Sequence, residues 1–73
     1  MSKHKIKERL REAILKEAEA RALTQNEAAD VLDTTQPRIS DLQRGKMRKF
    51  STGSLIEMCE EIGIEVEVTL RYV

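Results

Sequence analysis

The chain has 73 residues, 40% hydrophobic and 36% charged, and its 13 basic and 13 acidic residues leave a formal net charge of zero. That length holds one domain with a small core that leans on partners or oligomers, and the composition excludes a disordered tail. One cysteine, Cys59, and one histidine, His4, exclude an internal disulfide and a multi-cysteine metal site, and no apolar run approaches the ~20 residues that span a bilayer.

Met1 to Lys5, MSKHK, is a basic lead-in expected to fray. From Ile6 the pattern turns helical. Ile6, Leu10, Ile14 and Ala18 form an apolar stripe flanked by Ala13, Leu15 and Ala22, and Glu12 with Lys16 and Glu17 with Arg21 stand at favourable i,i+4 spacing. This predicts helix one over roughly Lys5 to Ala22, covering the back of the next two helices. Its first turns are rich in Lys and Arg, which opposes the helix dipole and costs a few tenths of a kcal/mol per charge.

Leu23 to Gly45, LTQNEAADVLDTTQPRISDLQRG, reads as two short helices joined by a tight turn. Thr24 and Glu27 form a Thr-x-x-Glu capping box at the start of a helix running from Gln25 to Leu32. Ala28, Ala29 and Leu32 recur at helical spacing, the alanines marking where a second helix crosses closely. Asp33 ends this helix in a left-handed conformation that aspartate tolerates. Thr35 caps the next helix, Gln36 to Arg44, whose first turn accepts Pro37 because the missing N–H is an orphan there. Ile39 and Leu42 face the core, so Gln36, Arg38, Ser40 and Asp41 face outward.

A helix laid out in this way suits the major groove of DNA, where side chains near its N-terminus reach base edges and a glutamine bonds bidentately to adenine. Leu23-Thr24-Gln25, Ala29, Gln36, Ile39-Ser40 and Arg44-Gly45 resemble the helix-turn-helix of the Xre/Cro-type repressors, the family that includes the lambdoid phage repressors. Thr35 to Leu42, with Gly45-Lys46 and Lys49-Phe50-Ser51, is more narrowly similar to small Xre-type antitoxins of bacterial toxin–antitoxin pairs. Where the family usually has glycine in the turn this chain has Asp33, and Thr34 replaces the usual valine. The resemblance covers Leu23 to about Gly63. It implies that Gln25 donates to a phosphate and braces Gln36, and that the loop Gly45 to Phe50 lies against the sugar–phosphate backbone.

On this reading Gln36, Pro37, Arg38, Ser40 and Asp41 are the base-contact candidates: Pro37 offers only apolar contact, and Asp41 is repelled by phosphates unless it accepts from cytosine N4. Gln25, Thr35, Arg44, Lys46, Arg48 and Lys49 are the backbone-contact candidates. The span Gln36 to Phe50 holds five basic residues against Asp41 alone, whereas Ser51 to Val73 holds five glutamates against Arg71. A basic segment beside the reading helix and an acidic end beyond it read as a DNA face and an opposite face. The lead-in is either a solvated terminus or an arm on DNA. A phosphate contact or a toxin contact would each account for the basic bias in the first turns of helix one.

Phe50 is expected as a core plug that anchors the loop, with Met47 ambiguous. Ser51 caps a fourth helix with Leu55, Met58, Cys59 and Ile62 on its inner stripe, and Gly63 stops it. Cys59 on that stripe is expected to be buried and inert. Ile64 to Val73, IEVEVTLRYV, alternates Ile64, Val66, Val68, Leu70 and Tyr72 with polar residues, a period-two strand pattern. Nothing else in the chain reads as strand, so it is expected to pair outside its own chain. Its partner is either its own copy, antiparallel in a register centred on Val68, or the sheet edge of a toxin.

The expectation is a mainly α, four-to-five-helix, lambda-repressor-like helix-turn-helix domain (1–63) with a C-terminal dimerisation strand (64–73). It is expected to be a homodimeric, sequence-specific repressor on double-stranded DNA with an inverted-repeat operator. By resemblance it is the autoregulating antitoxin of a type II pair, partnered by a small RelE/HigB-like toxin. A standalone phage-type regulator, or an interaction module that has lost DNA binding, are the alternatives. No catalytic residues, metal or cofactor are expected, since there is no paired nucleophile and base, no ligand cluster and no glycine-rich phosphate loop. The lone cysteine and the absence of a secretory apolar segment point to the cytoplasm.

Overall fold

Each helix starts on a hydroxyl and ends on a left-handed residue. The computed structural model describes residues 2–72, and among them lie α1 (Lys3–Ala20), α2 (Gln25–Val31), α3 (Gln36–Gln43), a 3-10 turn (Met47–Lys49) and α4 (Thr52–Glu61). Ser2, Thr24, Thr35 and Ser51 are the N-caps, their side-chain oxygens accepting the backbone N–H groups of Lys5, Glu27, Arg38 and Ser54. At the other ends Ala22, Asp33, Gly45 and Gly63 have φ of 54°, 53°, 74° and 85°. The same pair of backbone bonds closes every helix. After α2 the Thr34 N–H donates to Ala29 O at 2.9 Å and Asp33 N–H to Asp30 O at 3.3 Å; after α3, Lys46 N–H donates to Asp41 O and Gly45 N–H to Leu42 O, both at 3.1 Å. This Schellman closure satisfies carbonyls that would otherwise be stranded. Helices of seven and eight residues gain too little from propagation to persist alone, so the caps define where each stops and restarts.

The capping box, the Asp33 turn and the Thr35, Ser51 and Gly63 boundaries match the sequence reading. Helix one does not. It runs from Lys3 to Ala20 instead of Lys5 to Ala22, because Ser2 captures the Lys5 N–H at 3.3 Å and Ala22 turns left-handed, its N–H bonded to Glu19 O at 2.9 Å. Lys3, His4 and Lys5, expected to fray, therefore form its first turn, while Met1 lies outside the described residues. Of the two expected i,i+4 pairs, Glu17 and Arg21 meet at 3.0 Å; Glu12 and Lys16 form no ion pair.

The core gathers Ile14 and Ala18 of α1, Ala28, Ala29 and Leu32 of the α2 region, Ile39 and Leu42 of α3, and Leu55, Met58, Cys59 and Ile62 of the α4 region. α2 packs on α3, the two buried alanines allowing the close crossing. α1 lies chiefly along α4, not over the backs of α2 and α3 as its stripe suggested. Phe50, 1% exposed, is the expected plug, and Met47 is buried with it. Replacing Phe50 by Ala would cost ~3 to 5 kcal/mol. Cys59 is buried too, and burial, with Glu60 nearby, pushes its thiol above the ordinary range.

The C-terminal segment departs from expectation. No strand occurs among the described residues; a strand exists only through ladder bonds to a neighbour, and one copy of the chain offers none. The alternation survives in part as sidedness: Ile64 and Val66 are half-buried against the core while Glu65 and Glu67 are exposed. Beyond them Val68, Leu70 and Tyr72 are 73%, 78% and 98% exposed. Val73, the last residue of the expected strand, lies outside the described residues.

Candidate nucleic-acid interface

With Ile39 and Leu42 fixed in the core, the 3.6-residue period turns Gln36, Pro37, Ser40, Asp41 and Arg44 to the opposite face of α3. Gln36, Pro37 and Arg44 are exposed and Ser40 and Asp41 half-buried. Gln36 sits at the first helical position, where its Nε2 donates to Oε1 of Gln25 at 3.1 Å. Gln25 in turn donates from Nε2 to Oε1 of Gln43 at 2.6 Å. The expected Gln25–Gln36 brace is therefore present, and it is one link longer than expected. Gln36 and Gln43 stand two turns apart on one flank of α3, and Gln25 spans them; that seven-residue spacing was the available signal for Gln43. Used in this way the Gln36 amide keeps its oxygen and one N–H free, the two groups a bidentate contact to adenine needs.

Arg38 and Asp41 have other partners in the free protein. Arg38 was expected to face outward. Its Nη1 instead donates to Lys49 O at 2.9 Å, and its guanidinium lies 4.3 Å from the centroid of the Phe50 ring. The buried Phe50 offers a ring face at the flank of α3, and a guanidinium gains from both the ring and the carbonyl. Asp41 meets Nζ of Lys49 at 3.2 Å and of Lys46 at 3.7 Å. The hydrogen bond from Lys49, aided by both positive charges, holds its carboxyl below the usual range. α3 and the basic loop are thus tied together on one side.

The remaining predicted residues fall around this pair. Thr35 uses a lone pair as the cap of α3, accepting from the Arg38 N–H at 3.4 Å, and its hydroxyl proton is free to donate. Arg44, Lys46, Arg48 and Lys49 are all exposed, and Arg48 forms no ion pair among the described residues. His4 and residues Gly45 to Lys49 line one open notch, so the basic first turn of α1 borders the basic loop.

Part of the positive bias of α1, at Lys7 and Arg11, finds an intramolecular explanation that its local pattern did not signal, and Arg21 just beyond the helix acts in the same way. Arg11 donates from Nε to Leu42 O at 2.5 Å and from Nη2 to Gln43 O at 2.7 Å, capping the negative end of α3. Lys7 reaches Met47 O at 3.5 Å, and Arg21 donates to Ile62 O at 2.6 Å, capping α4. A cation on last-turn carbonyls adds a charged donor and complements the helix dipole. Nothing in the local sequence of α1 signals which distant carbonyls these side chains meet.

No helix among the described residues is long and apolar enough to cross a membrane. Comparison with curated proteins finds no match. The sequence does match a family described as helix-turn-helix domain over residues 1–71, a span that takes in both the α2–turn–α3 unit and the two helices that support it. The chain belongs to the helix-turn-helix family of DNA-binding regulators.

Proposed function

We propose that this protein is a sequence-specific transcriptional repressor that binds an inverted-repeat operator as a homodimer, laying one α3 helix in the major groove at each half-site. The observation that carries this reading is the Gln36–Gln25–Gln43 relay, which holds an amide ready for a base edge at the exposed start of α3. Gln36, Pro37 and Ser40 are the base-facing residues, with Arg38 reaching a base or a phosphate once released from Lys49. Gln25, Thr35, Arg44, Lys46, Arg48 and Lys49 take the sugar–phosphate backbone. Footprinting of the protein's own promoter tests this: protection of two half-sites about one helical turn apart, ~34 Å, supports it, and uniform coating of any duplex at low salt contradicts it.

Dimerisation is assigned to Ile64 to Tyr72. Support comes from the exposure of Val68, Leu70 and Tyr72, apolar area that a monomer would leave in water. In an antiparallel pairing centred on Val68, Glu65 stands opposite Arg71 twice. A Val68→Cys variant that links to its twin under mild oxidation supports this register; failure to link in solution contradicts it. The narrower role, antitoxin to a RelE/HigB-like toxin, rests on the resemblance of Thr35 to Ser51 to Xre-type antitoxins, and an adjoining reading frame for such a toxin is the observation that bears on it.

A further inference from the structure

Four helices close with the same backbone motif; α2 sets Ala29 and Thr34 at its paired positions, and α3 alone sets two charged residues there. In a Schellman closure the third-last helical residue and the residue after the left-handed one come together, usually as an apolar contact. α1 places Ala18 and Leu23 there, and α4 places Cys59 and Ile64. At the end of α3 the same positions hold Asp41 and Lys46, whose backbones bond at 3.1 Å and whose side chains pair at 3.7 Å. Lys49 reaches the same carboxylate at 3.2 Å. The side chain of Asp41 is 18% exposed, against 47% for Lys46 and 57% for Lys49. The carboxylate is the fixed member, and two solvent-facing ammonium groups converge on it.

Resting on the reading that this loop lies on DNA, we propose that Asp41 is an internal stand-in for a DNA phosphate: it occupies Lys46 and Lys49 in the free protein, so that a duplex takes both ammonium groups only by displacing it. Phosphate contact is the sequence-independent part of DNA affinity, and here part of it is already spent within the protein. The displaced carboxylate lies on the α3 face beside Pro37 and Arg44, where phosphates repel it. The cytosine N4 amino group is the base-edge donor that an aspartate accepts in the major groove. On a site presenting that cytosine both lysines and the carboxylate are satisfied. Elsewhere the carboxylate is left unpaired, so the penalty falls on wrong sequences.

The test compares wild type with Asp41→Asn by fluorescence anisotropy on a random-sequence duplex across a salt series, and by selection from a randomised duplex pool. Asp41→Asn is expected to bind the random duplex several-fold more tightly and to steepen the salt dependence by about one to two released counterions. It is also expected to lose one cytosine preference that wild type shows. Glu57→Gln removes the same charge from an exposed carboxylate on α4 that forms no ion pair among the described residues, and is expected to do neither. In a Lys46→Met/Lys49→Met background the gain from Asp41→Asn is expected to shrink to the small part that phosphate repulsion alone supplies. Weaker or unchanged binding of Asp41→Asn, an equal gain from Glu57→Gln, or a gain that persists undiminished without the lysines overturns the proposal while DNA binding itself stands. Absence of binding by wild type and every variant at low salt overturns the DNA reading together with it.

Discussion

Arg11 holds Leu42 by its carbonyl: Nε of a residue in the middle of α1 donates at 2.5 Å to the last turn of α3, 31 positions along the chain. The contact joins the supporting layer to the helix that faces outward. It also places a guanidinium against Gly45, where a Cβ would come within 3.8 Å of it. Because two carbonyls lose a charged donor together, Arg11→Met is expected to lower stability by about 2 kcal/mol and the melting temperature by roughly 10 °C. Arg11→Lys, with its point charge and no fork, is expected to fall between. Thermal melts followed by circular dichroism check both.

Left-handed Ala22 carries a Cβ penalty that the glycines at the ends of α3 and α4 avoid. Ala22→Gly is therefore expected to stabilise the fold by ~1 kcal/mol, and Asp33→Gly by less, since aspartate tolerates this conformation better than alanine. Urea titrations resolve the difference. A loss on Ala22→Gly would mean that the freedom glycine adds to the unfolded chain outweighs the Cβ strain relieved at a φ of 54°.

Along the glutamine relay, losses should scale with distance from the groove. Gln36→Ala is expected to cost ~1 to 3 kcal/mol on the selected operator and little on random duplex. Gln43→Ala, which removes only the far end of the relay, should cost a fraction of that with the same sequence dependence. Gln25→Ala should weaken both, because it removes the brace and, on the proposed docking, a phosphate donor as well. Operator and random-duplex titrations at one salt concentration separate the three.

Arg48 is the loop cation to test for phosphate contact in isolation, because it is exposed and forms no ion pair among the described residues. Arg48→Ala is expected to reduce the slope of log affinity against log salt by about 0.9 on any duplex sequence. A change confined to one sequence would assign Arg48 to base contact instead.

Two carboxyls link stability to acid. The backbone N–H and hydroxyl of Thr24 hold the Glu27 carboxyl below its ordinary 4.5, and Lys49, then Lys46, hold that of Asp41 below 3.8. A group whose value is depressed by folding contributes fully above its unfolded value and loses that contribution as pH falls through the folded one. Stability should thus be flat near neutrality and decline below about pH 4.5, first through Glu27 and then through Asp41. Glu27→Gln should remove the upper part of the decline and Asp41→Asn the lower part, read from urea midpoints across that range.

What the residues determined by themselves is the set of local decisions. Hydroxyl caps at Thr24, Thr35 and Ser51, the left-handed exit at Asp33, the stop at Gly63, and apolar spacing at Ile39, Leu42, Leu55 and Ile62 involve neighbours a few positions apart, and their physics is complete within a short window. The Gln25–Gln36 pairing was legible because its spacing carries a known resemblance. What only tertiary structure decided involves partners far along the chain. The seat of α1 against α4, the assignment of Arg11 and Arg21 to carbonyls 31 and 41 residues away, and the diversion of Arg38 onto Phe50 and Lys49 are of this kind. A long cationic side chain takes whichever acceptor packing brings within reach, and no local pattern encodes that choice. The tail shows the same limit from the other side: its alternation is written in the sequence, but a ladder needs a second strand, and the described residues hold none.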